Sequence, residues 1–388
     1  MPLFLPLWLF TTEHLGALFF CYRMVSRTIC FMENIMVDSV PFHKLLMAAS
    51  SEIPVEQASE LAWEYYGLKG EITALPGEWD SHFRLKEASG RRVVLKFINP
   101  AQSDQECQFH TQLLQHLQQH ASDLPLPRLI ANRQGELESL VHYNSQPRRM
   151  RVLSYLPGMP LSAQQATATS LQQAGAMLAR LDLALAGFQH EGAGRQLLWD
   201  LPHVSSLSQW LSYLCDGEQR RQVAEIINCY CQRVLPHEGS LRMQVIHNDV
   251  NPQHLLFEGE QLVGINGLGD ALQAPLINEL ATALAYQLGS GEGLLKQAVP
   301  FLRAYHQVLP LTEQELRLLP DLLACRLAMI ITIAQWRAAR YPQQRDYLLR
   351  NVPRAWHCLQ QLTRTTAQQV ADLFCQVCLP AREYQLAE

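Results

Sequence analysis

The chain is short of charge. Only 17% of its 388 residues are Asp, Glu, Lys or Arg, against 48% hydrophobic. That balance excludes a disordered polyelectrolyte and indicates a folded globular protein long enough for two or three packed layers or lobes. Basic runs are absent and the formal net charge is -5, which argues against a nucleic-acid partner. The cysteine spacing of a disulfide scaffold is absent too. The ten cysteines do not make a disulfide scaffold in a chain of this size. Cys375-x-x-Cys378 has no second pair or histidine pair to complete a zinc site. Its spacing, like that of Cys229-x-Cys231, suits packing on a helix face. Reduced thiols in a cytoplasmic protein are the simplest account. No internal repeat or low-complexity run is present.

Also missing is the unbroken apolar run of about 20 residues that a membrane helix needs. The start comes nearest, with MPLFLPLWLF and LGALFFCY. Glu13 and His14 interrupt it, Pro2 and Pro6 break its first half, and no basic segment precedes it as in a signal peptide. Residues 1–36 are expected to be an over-extended start or disordered leader, with a membrane anchor as the lesser alternative. Met24, Met32 and Met36 are alternative first residues.

What is present reads as strands first and helices afterwards. Phe42 to Tyr66 has apolar residues at helical spacing, and Gly67 and Gly70 end it. Residues 71–75, 82–85 and 92–98 alternate or are β-branched, with Pro76-Gly77 and Ser89-Gly90 between them, which predicts three antiparallel strands. Asp104 to His120 is an amphipathic helix with Phe109, Leu113, Leu114 and Leu117 in one stripe. Val141–Tyr143 and Met150–Leu156 read as paired strands, closed by Pro157-Gly158. Helices are expected from Ser170 to Gly187, Ser208 to Val234, Pro275 onward, Leu316 to Arg340, Tyr347 to Leu362, and through Cys378.

One stretch organises the rest: VIHNDVNPQHLLFEGEQLVGINGLGD, from Val245 to Asp270. Two short apolar runs, Leu255–Phe257 and Leu262–Ile265, flank Glu258-Gly259-Glu260 and predict a β-hairpin. The hairpin would bring Asp249 and Asp270 close together. Two carboxylates beside one cleft are what metal-assisted phosphoryl transfer uses, one to orient the attacking hydroxyl and one to hold Mg²⁺.

The stretch resembles the catalytic and metal-binding loops of aminoglycoside-phosphotransferase-like small-molecule kinases, H-G-D-x-x-x-x-N followed by a hairpin and D-F-G-D. Hydroxylysine kinase and its bacterial relatives are the group nearest in look, and the resemblance runs from about Leu68 to about Leu362. It implies an α+β, two-lobed, protein-kinase-like fold with a small antiparallel-sheet N-lobe (37–156) that binds nucleotide and a larger helical C-lobe (157–388). Asp249 matches the catalytic aspartate. His254 stands where the family has its metal-binding asparagine, Gly267 where it has the first aspartate of D-F-G-D, and Asp270 matches the second. His254 and Asp270 are thus the candidate metal ligands, for Mg²⁺ or Mn²⁺, and GTP or ATP is the implied donor.

Further roles follow from the same resemblance. Lys96 matches the lysine that grips nucleotide phosphates; a solvated strand face is its plainer reading. The turn from Leu75 to Phe83 matches the nucleotide-covering loop, without the G-x-G-x-x-G of protein kinases. By the pattern the lysine's acidic partner falls at His110, so Glu106, one turn earlier, is the candidate; a solvated acid at a helix start is the alternative. Ser154, Tyr155 and Leu156 sit at the hinge facing the nucleotide base. Trp199 and Asp200 resemble a W-D-L element bordering the acceptor pocket. Arg326 could meet an acceptor carboxylate, or else run out to solvent with Arg337. Glu279 stands where an acid braces the catalytic loop.

Two functions remain open on these residues. One is a kinase that phosphorylates a hydroxyl of an amino-bearing small molecule, as in GTP with 5-hydroxylysine. The other is a degenerate kinase fold that binds nucleotide or metabolite with little turnover. Asn248, His254 and Gly267 divide them. No membrane or nucleic-acid partner is implied, and the residues do not select an oligomeric state.

Overall fold

The computed structural model describes residues 53–77, 79–161, 166–289 and 293–379. The expected leader, the first half of the helix expected from Phe42, and the tail lie outside them. Everything described belongs to one compact unit, Met47–Glu388.

The N-terminal half is sheet. Helix α1 (Val55–Tyr66) ends at Gly67, whose φ of 69° closes it left-handed. Strands β1 (Gly70–Leu75), β2 (Ser81–Glu87) and β3 (Arg92–Phe97) follow as an antiparallel meander. After α2 (Asp104–His120) come β4 (Leu129–Ile130), β5 (Ser139–Tyr143) and β6 (Gln146–Ser154). The sheet order is β1-β2-β3-β6-β4, with β5 also paired to β6. Alternation buries Val93, Leu95 and Phe97 against α1, together with Leu85, Val141 and Val152. Each such buried side chain contributes about 1.5–3 kcal/mol. Lys96 necessarily leaves the other face. Helix α2 starts on a capping box, Ser103 with Glu106.

The C-terminal half is mainly helical. Strand β7 (Met159–Pro160) joins the predicted hairpin, β9 (Leu255–Glu258) and β10 (Gln261–Ile265). Strand β8 (Met243–Ile246) pairs with β11 (Leu272–Pro275), so the two short sheets bracket the loop that carries Asp249 and the one that carries Asp270. Around them pack α3 (Ala168–Leu185), α4 (Gly217–Cys229), α5 (Leu276–Ala285), α6 (Ala298–Val308) and α7 (Glu313–Arg340), then α8 (Arg345–Leu349), α9 (Val352–Leu362) and α10 (Ala367–Cys378). Helices α3 and α6 meet closely at Gly175, where a Cβ would come within 2.2 Å of the Phe301 carbonyl oxygen.

Two expected helices are broken. Residues 208–234 are not one helix: Leu201–Tyr213 is 3-10, and α4 starts afresh where the Asp216 side chain accepts the Glu218 N–H. Residues 347–362 divide at Asn351, because Pro353 can occupy only the first turn of a new helix. Among the described residues, no helix is long and apolar enough to cross a membrane.

Candidate active site

Strand β8 delivers the chain into a tightly braced loop. His247 is fully buried and its Nε2 donates to the Asn266 carbonyl (2.7 Å). Its Nδ1 is then the acceptor for the Asp249 N–H (3.3 Å). Burial, with His254 nearby, pushes its pKa down to about 4, so the ring is neutral. Asn248 takes φ 65° and donates its N–H to Glu279 Oε2 on α5 (3.0 Å). Glu279 is the expected brace. Its pKa is pushed up to about 7, by burial first and against the backbone N–H groups it accepts from.

Asp249 is thereby aimed with little freedom. Its Oδ1 accepts from Arg326 Nη2 (3.2 Å) and its Oδ2 from Asn251 Nδ2 (2.9 Å). The side chain keeps 17% of its surface exposed, enough for one carboxylate edge to meet a ligand. Arg326, from α7, is almost wholly enclosed; it also donates to the Trp199 carbonyl (2.6 Å) and bonds Tyr286. Both Asp249 and Asp270 act on its charge. The structure therefore places Arg326 against the Asp249 carboxylate, not out in solvent.

The metal half of the site is built differently from expectation. His254 Nδ1 lies 2.6 Å from the Asp249 carbonyl oxygen, so in the neutral ring Nδ1 carries the proton. The ring lies over Gly267. That glycine has φ 82°, and a Cβ on it would stand 2.6 Å from three atoms of the imidazole. The two departures from the family pattern are one steric unit: the ring occupies what a side chain at 267 would use. Among the described residues, no three His, Cys, Asp or Glu side chains converge as a metal site. Mg²⁺ prefers oxygen ligands, and of the two departures His254 offers a ring nitrogen while Gly267 beside it offers nothing. The residues do not fit the divalent ion that the resemblance implied.

The phosphate side also has an unexpected pairing. Lys96 Nζ meets Asp80 Oδ2 at 2.9 Å. Asp80 lies in the β1–β2 loop, buried, and its Oδ1 accepts the Asn99 N–H (2.7 Å). Burial works against its charge, but the Lys96 ammonium and these hydrogen bonds prevail and lower its pKa. Lys96 also faces the Asp270 loop, 4.0 Å from where a Cβ on Gly269 would stand. Glu106, the expected partner of Lys96, instead closes the α2 capping box and pairs with Arg195 (3.3 Å). Arg195 Nη1 reaches His110 Nε2 (2.7 Å) and the Gly269 carbonyl (2.8 Å). Burial and the Arg195 charge keep His110 well below its usual pKa, so it accepts as a neutral ring. Helix α2 is thus tied to the Asp270 loop by an arginine, where a lysine–glutamate pair was expected.

At the hinge, the Ser154 N–H donates to the Arg128 carbonyl (2.8 Å) and its Oγ accepts the Arg128 N–H (2.9 Å). Tyr155 lies under the Arg92 guanidinium at 4.5 Å, and the Leu156 side chain would touch a Cβ at Gly264. Trp199 stacks on Trp79 with centroids 6.5 Å apart, and Arg337 stands 5.2 Å over Trp79. Trp199 Nε1 and Asp200 Oδ1 are buried without a protein partner. Burial lifts Asp200 to a pKa of about 7, against the Arg326 charge.

Asp80, Arg195, Trp79 and Asn251 were not singled out from the sequence. Asp80 had a signal: it sits two residues before His82, which is opposite Lys96 in the β2–β3 register. Arg195 had none, since its three partners come from distant segments.

Two lobes with an acid-bearing loop between short sheets and a strand lysine facing it define the kinase-like architecture. The chain belongs to the phosphotransferase enzyme family, whose profile matches residues 71–319. It is 25% identical to hydroxylysine kinase of Mus musculus over 345 residues, covering 82% of this chain and 91% of the mouse protein. With hydroxylysine kinase of Danio rerio it is 26% identical over 324 residues, 77% of this chain and 90% of that one. The fold is shared with a microcompartment-associated aminopropanol kinase (TM-score 0.63, 14% identity, 79% and 95% of the two chains).

Proposed function

We propose that the protein transfers the γ-phosphoryl group of GTP or ATP to a hydroxyl of a small amino-bearing metabolite, with 5-hydroxylysine as the first candidate. The observation that carries this reading is Asp249: a carboxylate fixed on two sides, partly open, on a loop braced by Glu279 and His247. The acceptor comes from the mouse and zebrafish relatives, whose names specify hydroxylysine and whose length this chain nearly spans.

In this reading residues 37–156 form the nucleotide half and 157–388 the acceptor half. Asp249 accepts a hydrogen bond from the acceptor hydroxyl and points its oxygen at the γ-phosphorus. The new O–P bond forms as the β,γ-bridging P–O bond breaks. The nucleoside diphosphate leaves with that bond's electrons, and Asp249 takes the hydroxyl proton. Lys96 faces the phosphates, and Glu106 acts through Arg195 to hold α2. Ser154, Tyr155 and Leu156 border the base, while Trp199 and Asp200 border the acceptor.

A second reading is favoured by His254 over Gly267 and by Lys96 already paired with Asp80. It is a kinase-fold protein that holds nucleotide or metabolite with little turnover. One assay divides the two: donor consumption by the purified chain with GTP and with ATP, against a panel of hydroxyl-bearing amino acids and amines. Acceptor-dependent product carrying one phosphate supports the kinase. Saturable nucleotide binding without product, across the panel, leaves the second.

A further inference from the structure

We infer that this cleft takes the polyphosphate of a nucleotide without a divalent cation. The inference rests on the reading of the cleft as a nucleotide site and deepens it.

Three observations converge. The imidazole of His254 fills the volume that a side chain at 267 would enter, and Gly267 itself offers no ligand. A permanently charged guanidinium, Arg326, bonds Asp249, so that carboxylate already has a cation. In place of the pattern's asparagine and first aspartate the chain has an imidazole and a bare glycine, a pair without the oxygen atoms that Mg²⁺ prefers. A divalent ion entering here would meet the fixed positive charge of Arg326 beside Asp249.

Charge on a bound polyphosphate must still be balanced. In phosphoryl-transfer sites metal ions and a lysine share that work. Here Lys96 is the cation that faces the Asp270 loop, and its present partner, Asp80, is the group that phosphate oxygens would replace or join. Arg195, with Glu106 as its own counter-charge, fixes the Gly269 carbonyl in the same loop. Once phosphate oxygens take the place of Asp80, the Lys96 ammonium supplies that balance from within the chain.

The test is isothermal titration of the full chain with GTP and with ATP, in EDTA and then in Mg²⁺ or Mn²⁺. The expected result is the same Kd with and without metal, and a loss of about tenfold or more in EDTA for Lys96→Ala. A second protein, the double variant H254N/G267D, removes the ring and restores a carboxylate. It should bind nucleotide about 10–100-fold more tightly with metal than in EDTA. Its far-ultraviolet circular dichroism is checked against wild type, and if it fails to fold the wild-type comparison decides alone. Wild-type binding that weakens about tenfold or more in EDTA overturns the inference and leaves the nucleotide site standing. No binding of either nucleotide in any buffer overturns the nucleotide reading itself and the inference with it.

Discussion

The ammonium of Lys96 is held by Asp80, 2.9 Å away across the β1–β2 loop, and not by an acid on α2. The β1–β2 loop therefore supplies the counter-charge that, in the proposed function, phosphate would compete with. Asp80 is buried and doubly bonded, so the pair also pins the loop to the end of β3. Trp79, one residue earlier, pins the same loop to the other lobe through Trp199.

Replacing Asp80 by Asn removes the competing charge. Affinity for GTP or ATP should rise several-fold, read by titration calorimetry. Stability should fall by about 1–3 kcal/mol, because Lys96 is left poorly partnered in a mostly enclosed position. The acid limb should change as well. A carboxyl whose folded pKa is depressed adds stability above its unfolded pKa and loses it as pH falls through the folded value. Wild type should therefore lose this share of its stability as pH falls below the usual aspartate range, and D80N should not. Urea melts at pH 7 and pH 3 check the difference.

Gly267→Ala should be costly, and the cost should depend on His254. The position takes φ 82°, which strains any residue with a Cβ by about 1–3 kcal/mol. The Cβ would also meet the imidazole at 2.6 Å. In a His254→Ala background the clash disappears and only the strain remains. A double-mutant cycle by chemical denaturation should give a coupling of about 1 kcal/mol or more between the two sites. Additive effects would mean that ring and glycine do not share space.

Much of this architecture could be read from residue pattern. Gly and Pro turns with alternation located β1 to β3, and Asp104–His120 is helical over the whole expected span. The hairpin after Asp249 is present with Glu258 opposite Gln261. What failed did so for physical reasons. Periodicity carried a helix through Cys215 and Asp216, where a side-chain cap restarts it. The partner of Glu106 is Arg195, 89 positions further along the chain, and no local rule weighs such a pair. His254 was weighed as a ligand because its position matched one. The structure adds that its Nδ1–H is held by the Asp249 carbonyl and that its ring fills the space beside Gly267.

Glu279 predicts a pH dependence of opposite sign to that of Asp80. Burial raises its folded pKa to about 7, from an ordinary value of 4.5. The unfolded chain then binds fewer protons than the folded one between those values, so this group's contribution falls as pH rises from about 4.5 to 7. Asp182, also buried and raised, faces it from α3, while Arg242 and Arg326 act on the pair with opposite effect. Glu279→Gln should flatten that part of the stability profile. The amide oxygen can still accept one loop N–H, so nucleotide affinity should change little while acceptor turnover falls. A stability profile unchanged by E279Q would place the titration elsewhere.

Asp249→Asn separates positioning from charge. The amide keeps the size of the side chain and can still accept from Arg326 through its oxygen, so the fold should survive. Arg326 loses its full counter-charge in a nearly closed environment, and about 1–3 kcal/mol of stability should go with it. Asn cannot take the acceptor's proton and aligns the hydroxyl less firmly. Acceptor-dependent turnover should drop by about 10²–10⁴-fold, with KM for the nucleotide nearly unchanged, because Lys96 and Ser154 lie in the N-terminal sheet and not on the Asp249 loop. Nucleotide affinity measured directly should stay within a few-fold of wild type. Turnover that survives the substitution at more than about a tenth of the wild-type rate would remove Asp249 from the chemistry, and leave it as the counter-charge that keeps Arg326 folded against Trp199.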